Sequence, residues 1–169
     1  FYPGPTEGDV FNTWRGPPHD KRACVRPNVF IKHVEKILCG GNKTTSEYVL
    51  DWLAHLVQHP TQKELCPSCL VLISPPGTGK TIFTNILLKL FGDYGYVCTD
   101  MTHYTTSRFN DEIEGRLLTI FNEASDYKKN QSNFDKLKAF ITDVHSTRIE
   151  KKYKSARFIN NYSRYIVLS

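Results

Sequence analysis

The sequence lacks the features that mark several classes of protein. No apolar run approaches the roughly 18 residues of a transmembrane helix, and the first residues do not follow a signal-peptide pattern. No internal repeat or low-complexity tract is present. With 40% apolar and 23% charged residues among 169, the chain is expected to be globular, as one domain with room for a small appendage. Because it starts at Phe1 and ends at Ser169 within an apolar run, we expect an excised segment of a longer protein.

Cysteine is sparse and odd in number, at five residues. This favours reduced thiols in an intracellular, soluble protein, and the compartment stays unspecified. Cys66 and Cys69 form a single C-x-x-C pair, but zinc would need two more ligands, so buried structural thiols are favoured over a metal or redox site. His55 and His59 have a helical spacing that suits a metal. No third ligand is near in the sequence, so packing or solvated histidines are favoured.

The chain is organised around one element, which the pattern of residues 69–83 predicts. A short apolar run precedes Ser-Pro-Pro-Gly-Thr-Gly-Lys-Thr, and apolar residues at helical spacing follow it. Strand, glycine loop and helix in this order are typical of a phosphate-binding P-loop. Glycines let successive N–H groups turn toward a phosphate, and the helix adds the positive end of its dipole. The residues predicted to bind ATP with Mg²⁺ are Pro76, Gly77, Thr78, Gly79, Lys80 and Thr81.

Within this loop, Lys80 is expected to reach the outer phosphates, and the Thr81 hydroxyl is expected to ligate Mg²⁺. Ser74 stands where the pattern G-x-x-x-x-G-K-[ST] has its first glycine. We regard this departure as small, because Pro75 and Pro76 already shape the loop. The alternative is an ordinary strand–turn–helix joint with a chance Gly-Lys-Thr.

A second apolar run, residues 117–121, ends in Asn122 and Glu123. In P-loop enzymes the first residue of such a pair holds Mg²⁺ through water, and the second polarises the attacking water. An amide accepts a hydrogen bond from metal-bound water more weakly than a carboxylate does. The predicted catalytic residues are therefore Lys80 and Glu123, with Asn122 and Thr81 at the metal. The alternative is a buried strand that ends in Asn-Glu by chance.

Two predicted strands, residues 147–150 and 157–160, flank a basic turn. Five basic residues fall from Arg148 to Arg157, with Tyr153 in the middle. Cations can contact phosphates while an aromatic ring stacks on a base, which suits single-stranded nucleic acid. The predicted DNA-binding residues are Lys151, Lys152, Tyr153 and Lys154. The alternative is a solvated turn, and a net charge of +5 permits a nucleic-acid partner without establishing one.

The remaining patterns predict three regions. Residues 1–27 form an irregular leader whose aromatics pack on the domain, with a base-stacking surface as the alternative. Residues 28–60 form a small helical cap, and residues 61–169 form the core. In the cap, Asn28 is expected to begin a helix over residues 29–38. A capping box at residues 44–47 is expected to begin a second helix, whose apolar side carries Tyr48, Leu50, Trp52, Leu53 and Leu56. Further elements are expected as a strand at 95–98, a short helix through Ile113, a helix at 134–143 and a last strand at 165–169.

The order of these motifs resembles the superfamily 3 helicase domain of the AAA+ class, found in primase-helicase replication proteins of phages, plasmids and large DNA viruses. The resemblance covers about residue 28 to the end. The stretches that carry it are 48–58, 76–81, 108–110 (Arg-Phe-Asn), 121–124 (Phe-Asn-Glu-Ala), 137–142, 149–152 and 161–166.

This resemblance implies an α/β, AAA+-like P-loop NTPase core with a parallel sheet flanked by helices. It implies an ATP-driven DNA helicase that moves along single-stranded DNA as a homo-oligomeric ring, a hexamer, with a primase domain or partner and no membrane. By position, Asn122 and Glu123 take the Walker B roles, and Lys152, with Lys154 beside it, contacts DNA in the ring channel. The family's polar sensor residue would follow Ser169, and no arginine finger can be assigned. We therefore expect a C-terminally truncated core that binds nucleotide and hydrolyses it poorly.

Two other functions stay open at this stage. An AAA+ ATPase that remodels proteins would share the P-loop but has no need of the basic hairpin. A nucleotide-binding module without turnover is favoured by Asn122. DNA-stimulated release of phosphate separates these functions from a helicase.

Overall fold

The computed structural model describes residues 1–4, 6, 8, 11–16, 26–107, 110–122, 131–143, 145 and 147–169. The helices are α1 (Asn28–Lys32), which continues as a π-helix (His33–Leu38), α2 (Lys43–Gln58), α3 (Lys80–Phe91), α4 (Met101–Thr106) and α5 (Gln131–Thr142). The strands are β1 (Cys69–Leu72), β2 (Gly95–Cys98), β3 (Leu118–Phe121), β4 (Thr147–Ile149), β5 (Arg157–Ile159) and β6 (Arg164–Leu168). No helix of the described ranges is long and apolar enough to cross a membrane.

Four of the strands form one parallel sheet in the order β1-β6-β3-β2. The other two, β4 and β5, form a separate antiparallel hairpin between α5 and β6. Parallel neighbours need crossover connections, and here helices provide them on both sides of the sheet. The predicted α/β class, with a parallel sheet flanked by helices, is confirmed.

The sheet separates two hydrophobic cores. Successive strand residues point to opposite faces, so Leu118 and Ile120 of β3 belong to one core and Phe121 to the other. The first core is formed with α2 and α3 and includes Trp52, Leu56, Phe83, Leu87, Ile120 and Ile166. The second is formed with α4 and α5 and includes Cys98, Tyr104, Phe121, Leu137, Tyr165 and Val167. Because α2 shares the first core, the predicted cap packs directly on the sheet.

The start of α1 differs from the prediction. Asn28 is the first helical residue, Pro27 occupies the capping position, and no side chain caps the helix. Pro27 lacks the N–H that would need a partner there, so a proline is tolerated. The expected stop is confirmed, because the helical segment ends at Leu38 and both Gly40 and Gly41 have positive φ angles.

The predicted capping box of α2 is wrong. The cap is Asn42, whose side-chain Oδ1 accepts a hydrogen bond from the Thr45 N–H at 2.9 Å. Asn is a better cap than threonine, which agrees with its taking this position. Tyr48 also departs from the prediction: it is half exposed, and its hydroxyl donates to Ser68 Oγ at 3.0 Å. Trp52, Leu53 and Leu56 are buried as expected.

The sequence did not predict α4. Its six residues have no apolar periodicity, and Asp100 begins it by accepting a hydrogen bond from the His103 N–H at 2.8 Å. The short helix expected through Ile113 is a 3₁₀ turn over Asp111–Ile113. Arg108 and Phe109, expected to lead into it, lie outside the described residues.

Aromatic residues of the leader pack on the domain, as predicted. The Phe1 ring lies 5.9 Å from Trp14 and 5.6 Å from Tyr94, measured between ring centroids. Trp14 and Tyr94 lie 4.5 Å apart. In contrast, Phe11 is 90% exposed. The described leader is therefore held by one aromatic cluster.

Two buried cations bind the carboxyl ends of helices α2 and α5. Arg164 of β6 donates to His55 Nδ1 at 3.0 Å and to the His59 carbonyl at 3.2 Å, at the end of α2. Lys63 Nζ donates to the carbonyls of Phe140 and Asp143 at 2.7 and 3.0 Å, at the end of α5. A cation suits the negative end of a helix dipole. Burial, with Arg164 nearby, nonetheless lowers the pKa of Lys63 to about 7.

This pKa generates a prediction for stability. The ordinary pKa of lysine is 10.5, so between about pH 7 and pH 10 the unfolded chain binds more protons at Lys63 than the folded chain. The free energy of unfolding of the wild type should therefore rise with pH across this window, relative to Lys63→Met. Denaturant unfolding at a series of pH values measures the difference, with the exposed Lys43→Met as the matched control. Parallel pH profiles for wild type and Lys63→Met would contradict the prediction.

Candidate functional site

The glycine loop, residues 74–79, joins the end of β1 to the start of α3. Gly77 and Gly79 have φ angles of 81° and 89°, a left-handed conformation that other residues adopt only with strain. Gly79 directly precedes Lys80, the first residue of α3. The loop therefore ends at the positive end of a helix dipole, as the sequence predicted.

Lys80 is held by oxygen atoms of this loop. Its Nζ donates to the Ser74 carbonyl, to Ser74 Oγ at 2.9 Å and to the Pro75 carbonyl at 3.2 Å. Ser74 Oγ also lies 2.6 Å from Thr78 Oγ1. Ser74, which departs from the P-loop pattern, thus connects the lysine to the loop. Pro76 and Gly77 are exposed beside it, and Thr81 is exposed in the first turn of α3.

The helical cap contacts the glycine loop through His33, a residue that the sequence analysis did not single out. His33 Nε2 lies 3.2 Å from the Gly79 carbonyl oxygen. A Cβ atom on Gly79 would lie 2.6 Å from His33 Cε1, so a larger residue at this position would have to displace the imidazole. His33 begins the π-helix, and such turns are often found at functional sites. No short motif in the sequence marks this contact.

Asn122 lies at the same edge of the sheet as the glycine loop. Register pairs Leu72 of β1 with Leu168 of β6, and Phe121 of β3 with Val167. Asn122 is therefore level with Leu72, two strand spacings away, or about 10 Å. Its N–H donates to the Cys98 carbonyl at 3.0 Å, and its side chain is exposed. Glu123 lies outside the described residues, so its predicted catalytic role stays a prediction.

The β4–β5 hairpin has an inner and an outer face. Register pairs Ile149 with Arg157 on the inner face, where Ile149 is buried. On the outer face Arg148 is opposite Phe158, and Phe158 is 69% exposed. At the tip Tyr153 is 91% exposed and has a φ of 64°, which is unusual for a residue with a side chain.

Two residues before β3 dock this hairpin. Asn110 donates from Nδ2 to the Arg148 carbonyl and accepts at Oδ1 from the Glu150 N–H, both at 2.9 Å. Glu114 pairs with Arg157 and, at 2.9 Å, with Lys151. Burial alone would raise the pKa of Glu114, but its hydrogen bonds to these two cations outweigh burial and lower the pKa.

The three lysines among the four predicted DNA-binding residues therefore differ in whether they pair with a carboxylate. Lys151 is engaged by Glu114, whereas Lys152 and Lys154 are exposed and pair with no carboxylate among the described residues. Lys152 Nζ lies 5.2 Å from the centre of the Tyr153 ring. Sequence reasoning missed Phe158, because an apolar residue in a strand normally indicates a core position.

The histidine and cysteine pairs that the sequence analysis considered as metal sites contact neighbouring groups of the protein. Arg164 donates to His55, as the packing interpretation expected, and burial raises the pKa of the Cys69 thiol to about 12. Cys66 Sγ lies 3.5 Å from Ser68 Oγ. Among the described residues, no group of three or more histidines, cysteines or acidic residues is arranged to hold a metal ion.

The contact between His33 and Gly79 generates a second prediction. Gly79→Ala should destabilise the protein more than Gly77→Ala. Both alanines adopt a left-handed φ, but only the one at 79 collides with His33, since nothing lies within 4 Å of a Cβ at Gly77. The difference should be at least about 1 kcal/mol, measured by denaturant unfolding.

The double variant His33→Ala/Gly79→Ala is the control for this collision. Removing the imidazole should recover most of the excess cost, as expected for two residues in contact. Equal destabilisation by the two single glycine variants would show that His33 gives way freely.

Solved structures with the same fold include apo forms of the C-terminal region of NrS-1. An A-form structure is 23% identical, has a TM-score of 0.71, and matches 88% of this chain and 34% of its own. A structure of NrS-1 residues 305–718 is also 23% identical with a TM-score of 0.71, and matches 83% of this chain and 33% of its own. The chain thus spans about a third of the length of these structures, and at this identity the likeness concerns the fold.

None of the curated proteins matches the sequence. A family match covers residues 72–169, which include the whole glycine loop, Asn122, the hairpin and β6. Since this is more than half of the chain, the protein belongs to the family of unknown function DUF5906.

Proposed function

We propose that this chain is part of the ATP-driven motor of a replication protein of a virus or mobile element, moving along single-stranded DNA. The observation that carries the proposal is the glycine loop, whose left-handed glycines and Lys80 share one sheet edge with Asn122. Ligands of open parallel sheets bind at the carboxyl ends of the strands, where this loop lies. The order of motifs, similar to that of superfamily 3 helicases, supports the same function.

Lys80, which now donates to oxygens of Ser74 and Pro75, would bind the outer phosphates of ATP in the proposed site. Backbone N–H groups from Gly77 to Thr81 would donate to the phosphates, and the α3 dipole would favour their negative charge. The Thr81 hydroxyl and Asn122 would hold Mg²⁺, which neutralises charge on the outer phosphates. Glu123 would orient the attacking water. Catalysis then depends on positioning and electrostatics, with no covalent intermediate on the protein.

The proposed DNA contact is the outer face and tip of the hairpin. Lys152 and Lys154 supply exposed cations for phosphates, and Tyr153 and Phe158 supply exposed rings on which bases can stack. In a ring of subunits, a hexamer in our proposal, such hairpins would meet in one channel. An attached primase and the host-cell location belong to the same proposal.

A nucleotide-binding module without turnover is the second candidate, favoured by an amide at position 122. An ATPase that remodels proteins is less well supported, because it gives no reason for exposed rings and cations on one hairpin. Stimulation of phosphate release by single-stranded DNA, measured on the longer parent protein, decides between them. A motor predicts stimulation, whereas a module without turnover predicts nucleotide binding and no release.

The third prediction tests the glycine loop. Lys80→Ala should weaken binding of ATP with Mg²⁺ at least tenfold, or about 1.4 kcal/mol, because it removes the cation that faces the outer phosphates. Titration calorimetry on both proteins measures this affinity. Lys43→Ala, which removes an exposed lysine from α2, is the matched control and should bind as wild type. Equal affinities of Lys80→Ala and wild type would contradict nucleotide binding at this loop.

The fourth prediction tests the outer face of the hairpin. Tyr153→Ala and Phe158→Ala should each weaken binding of single-stranded DNA by about 1–3 kcal/mol, because each removes a stacking ring. Neither should change the dependence of affinity on salt, since stacking releases no counterions. Replacing Lys152 and Lys154 by alanine should flatten that dependence. Fluorescence anisotropy of labelled DNA across a salt series measures both quantities.

Phe11→Ala is the matched control for these rings, because Phe11 is as exposed as Tyr153 and more exposed than Phe158, but belongs to the leader. It should leave DNA affinity unchanged. A loss at Phe11 with none at Tyr153 or Phe158 would move the stacking surface to the leader.

A further inference from the structure

The hairpin contains a cavity that is separate from its outer face. It has a volume of about 160 Å³ and is lined by Ile149, Lys151, Lys154, Ser155 and Arg157. Neither Lys152 nor Tyr153 lines it. The cavity therefore groups three cations and a hydroxyl that are spread over seven positions of the sequence.

The charges around this cavity favour an anion. Two carboxylates lie beside the three cationic side chains: Glu114 pairs with Lys151 and Arg157, and Asp111 lies 4.0 Å from Lys151. Three cations against two carboxylates leave the cluster a net positive charge. Glu114 also fixes the positions of Lys151 and Arg157 before any ligand arrives. The buried Ile149 forms an apolar part of the wall, where electrostatic attraction is less screened than in open solvent.

Donor chemistry narrows the class of anion. Arg157 offers a planar fork of N–H groups, Lys151 and Lys154 offer ammonium groups, and Ser155 offers a hydroxyl. Donors on several sides of a cavity suit a tetrahedral oxyanion, which presents oxygens in several directions. A phosphate group has this geometry.

We propose that this cavity binds a phosphate group of the nucleic-acid backbone, held by Lys151, Lys154, Ser155 and Arg157. The inference rests on the proposed DNA-binding function of the hairpin and assigns it one defined phosphate position. Lys152, at the tip, lies outside the cavity and would contact the backbone without holding this phosphate. Tyr153 directly precedes Lys154, so a base attached to the bound phosphate would be near its ring.

The test compares neutral and charged substitutions inside and outside the cavity. All variants carry Lys80→Ala, so that phosphate binding at the glycine loop does not contribute. Ser155→Ala should weaken DNA binding about tenfold by removing one hydrogen bond to a charged group, without changing the salt dependence. Lys154→Ala should weaken binding and also flatten the salt dependence. Fluorescence anisotropy with labelled single-stranded DNA measures both.

The phosphate could come from the nucleic-acid backbone or from free phosphate in solution. Titration with inorganic phosphate, monitored by NMR of the hairpin amides, distinguishes these two sources. Lys152→Ala should keep any binding of inorganic phosphate, whereas Lys154→Ala and Ser155→Ala should lose it. Binding of DNA that depends on Ser155, without binding of inorganic phosphate, also supports the proposal and assigns the site to the nucleic-acid backbone. Ser155 is exposed, so its alanine variant should fold, which thermal unfolding verifies.

The phosphate site would be overturned if the Ser155→Ala variant binds both DNA and inorganic phosphate as well as the protein with Lys80→Ala alone. If DNA binding then still depends on Tyr153, Phe158 and Lys152, the proposed function stands without it. If the protein with Lys80→Ala alone binds no DNA but binds inorganic phosphate in a Ser155-dependent manner, the proposed DNA function fails. The cavity is then a site for free phosphate.

Discussion

β6 pairs with β1 on one side and with β3 on the other, and this double pairing brings the candidate site together. The two strands that carry the glycine loop and Asn122 have no direct contact in the sheet, so their register depends on β6. The Ser74 N–H extends the pairing by donating to the Ser169 carbonyl at 3.3 Å. A slip by one residue in β6 would reverse its faces and separate the loop from Asn122. Arg164, at the start of β6, also ties the strand to α2, so the cap depends on the same pairing.

The hairpin and the sheet are connected through the residues that precede β3. Asn110 and Glu114 hold the hairpin, and β3 begins four residues after Glu114 and ends just before Asn122. The hairpin is therefore held by the segment that leads directly into the strand before Asn122. The cap makes a corresponding contact at the other side of the site, where His33 meets Gly79. The glycine loop is thus in contact with the cap, and Asn122 is in sequence continuity with the residues that dock the hairpin.

Local sequence patterns predicted the elements whose signal is short-ranged. The strand at 95–98 and the helix from Lys80 were placed correctly, because an apolar run and a glycine loop identify them without distant contacts. The cap of α2 was misplaced, and α4 was not predicted. Asn42, Thr44 and Asp100 are all good caps, and which helix forms depends on what packs beside it. Ser74 shows the same limit: the sequence marks it as a departure, and only the fold gives its hydroxyl two partners.

By itself, the sequence determined the α/β class, the order of motifs, the glycine loop and a basic hairpin. These follow from residue types and spacings within a few turns of chain. Tertiary structure alone decided which cations of the hairpin pair with a carboxylate, because Glu114 lies 37 positions before Lys151 and 43 before Arg157. It also decided that Phe158 faces outward, that His33 contacts Gly79, and that Asn122 lies level with Leu72. Such relations depend on strand register and side-chain pairing between distant segments, which no local pattern encodes.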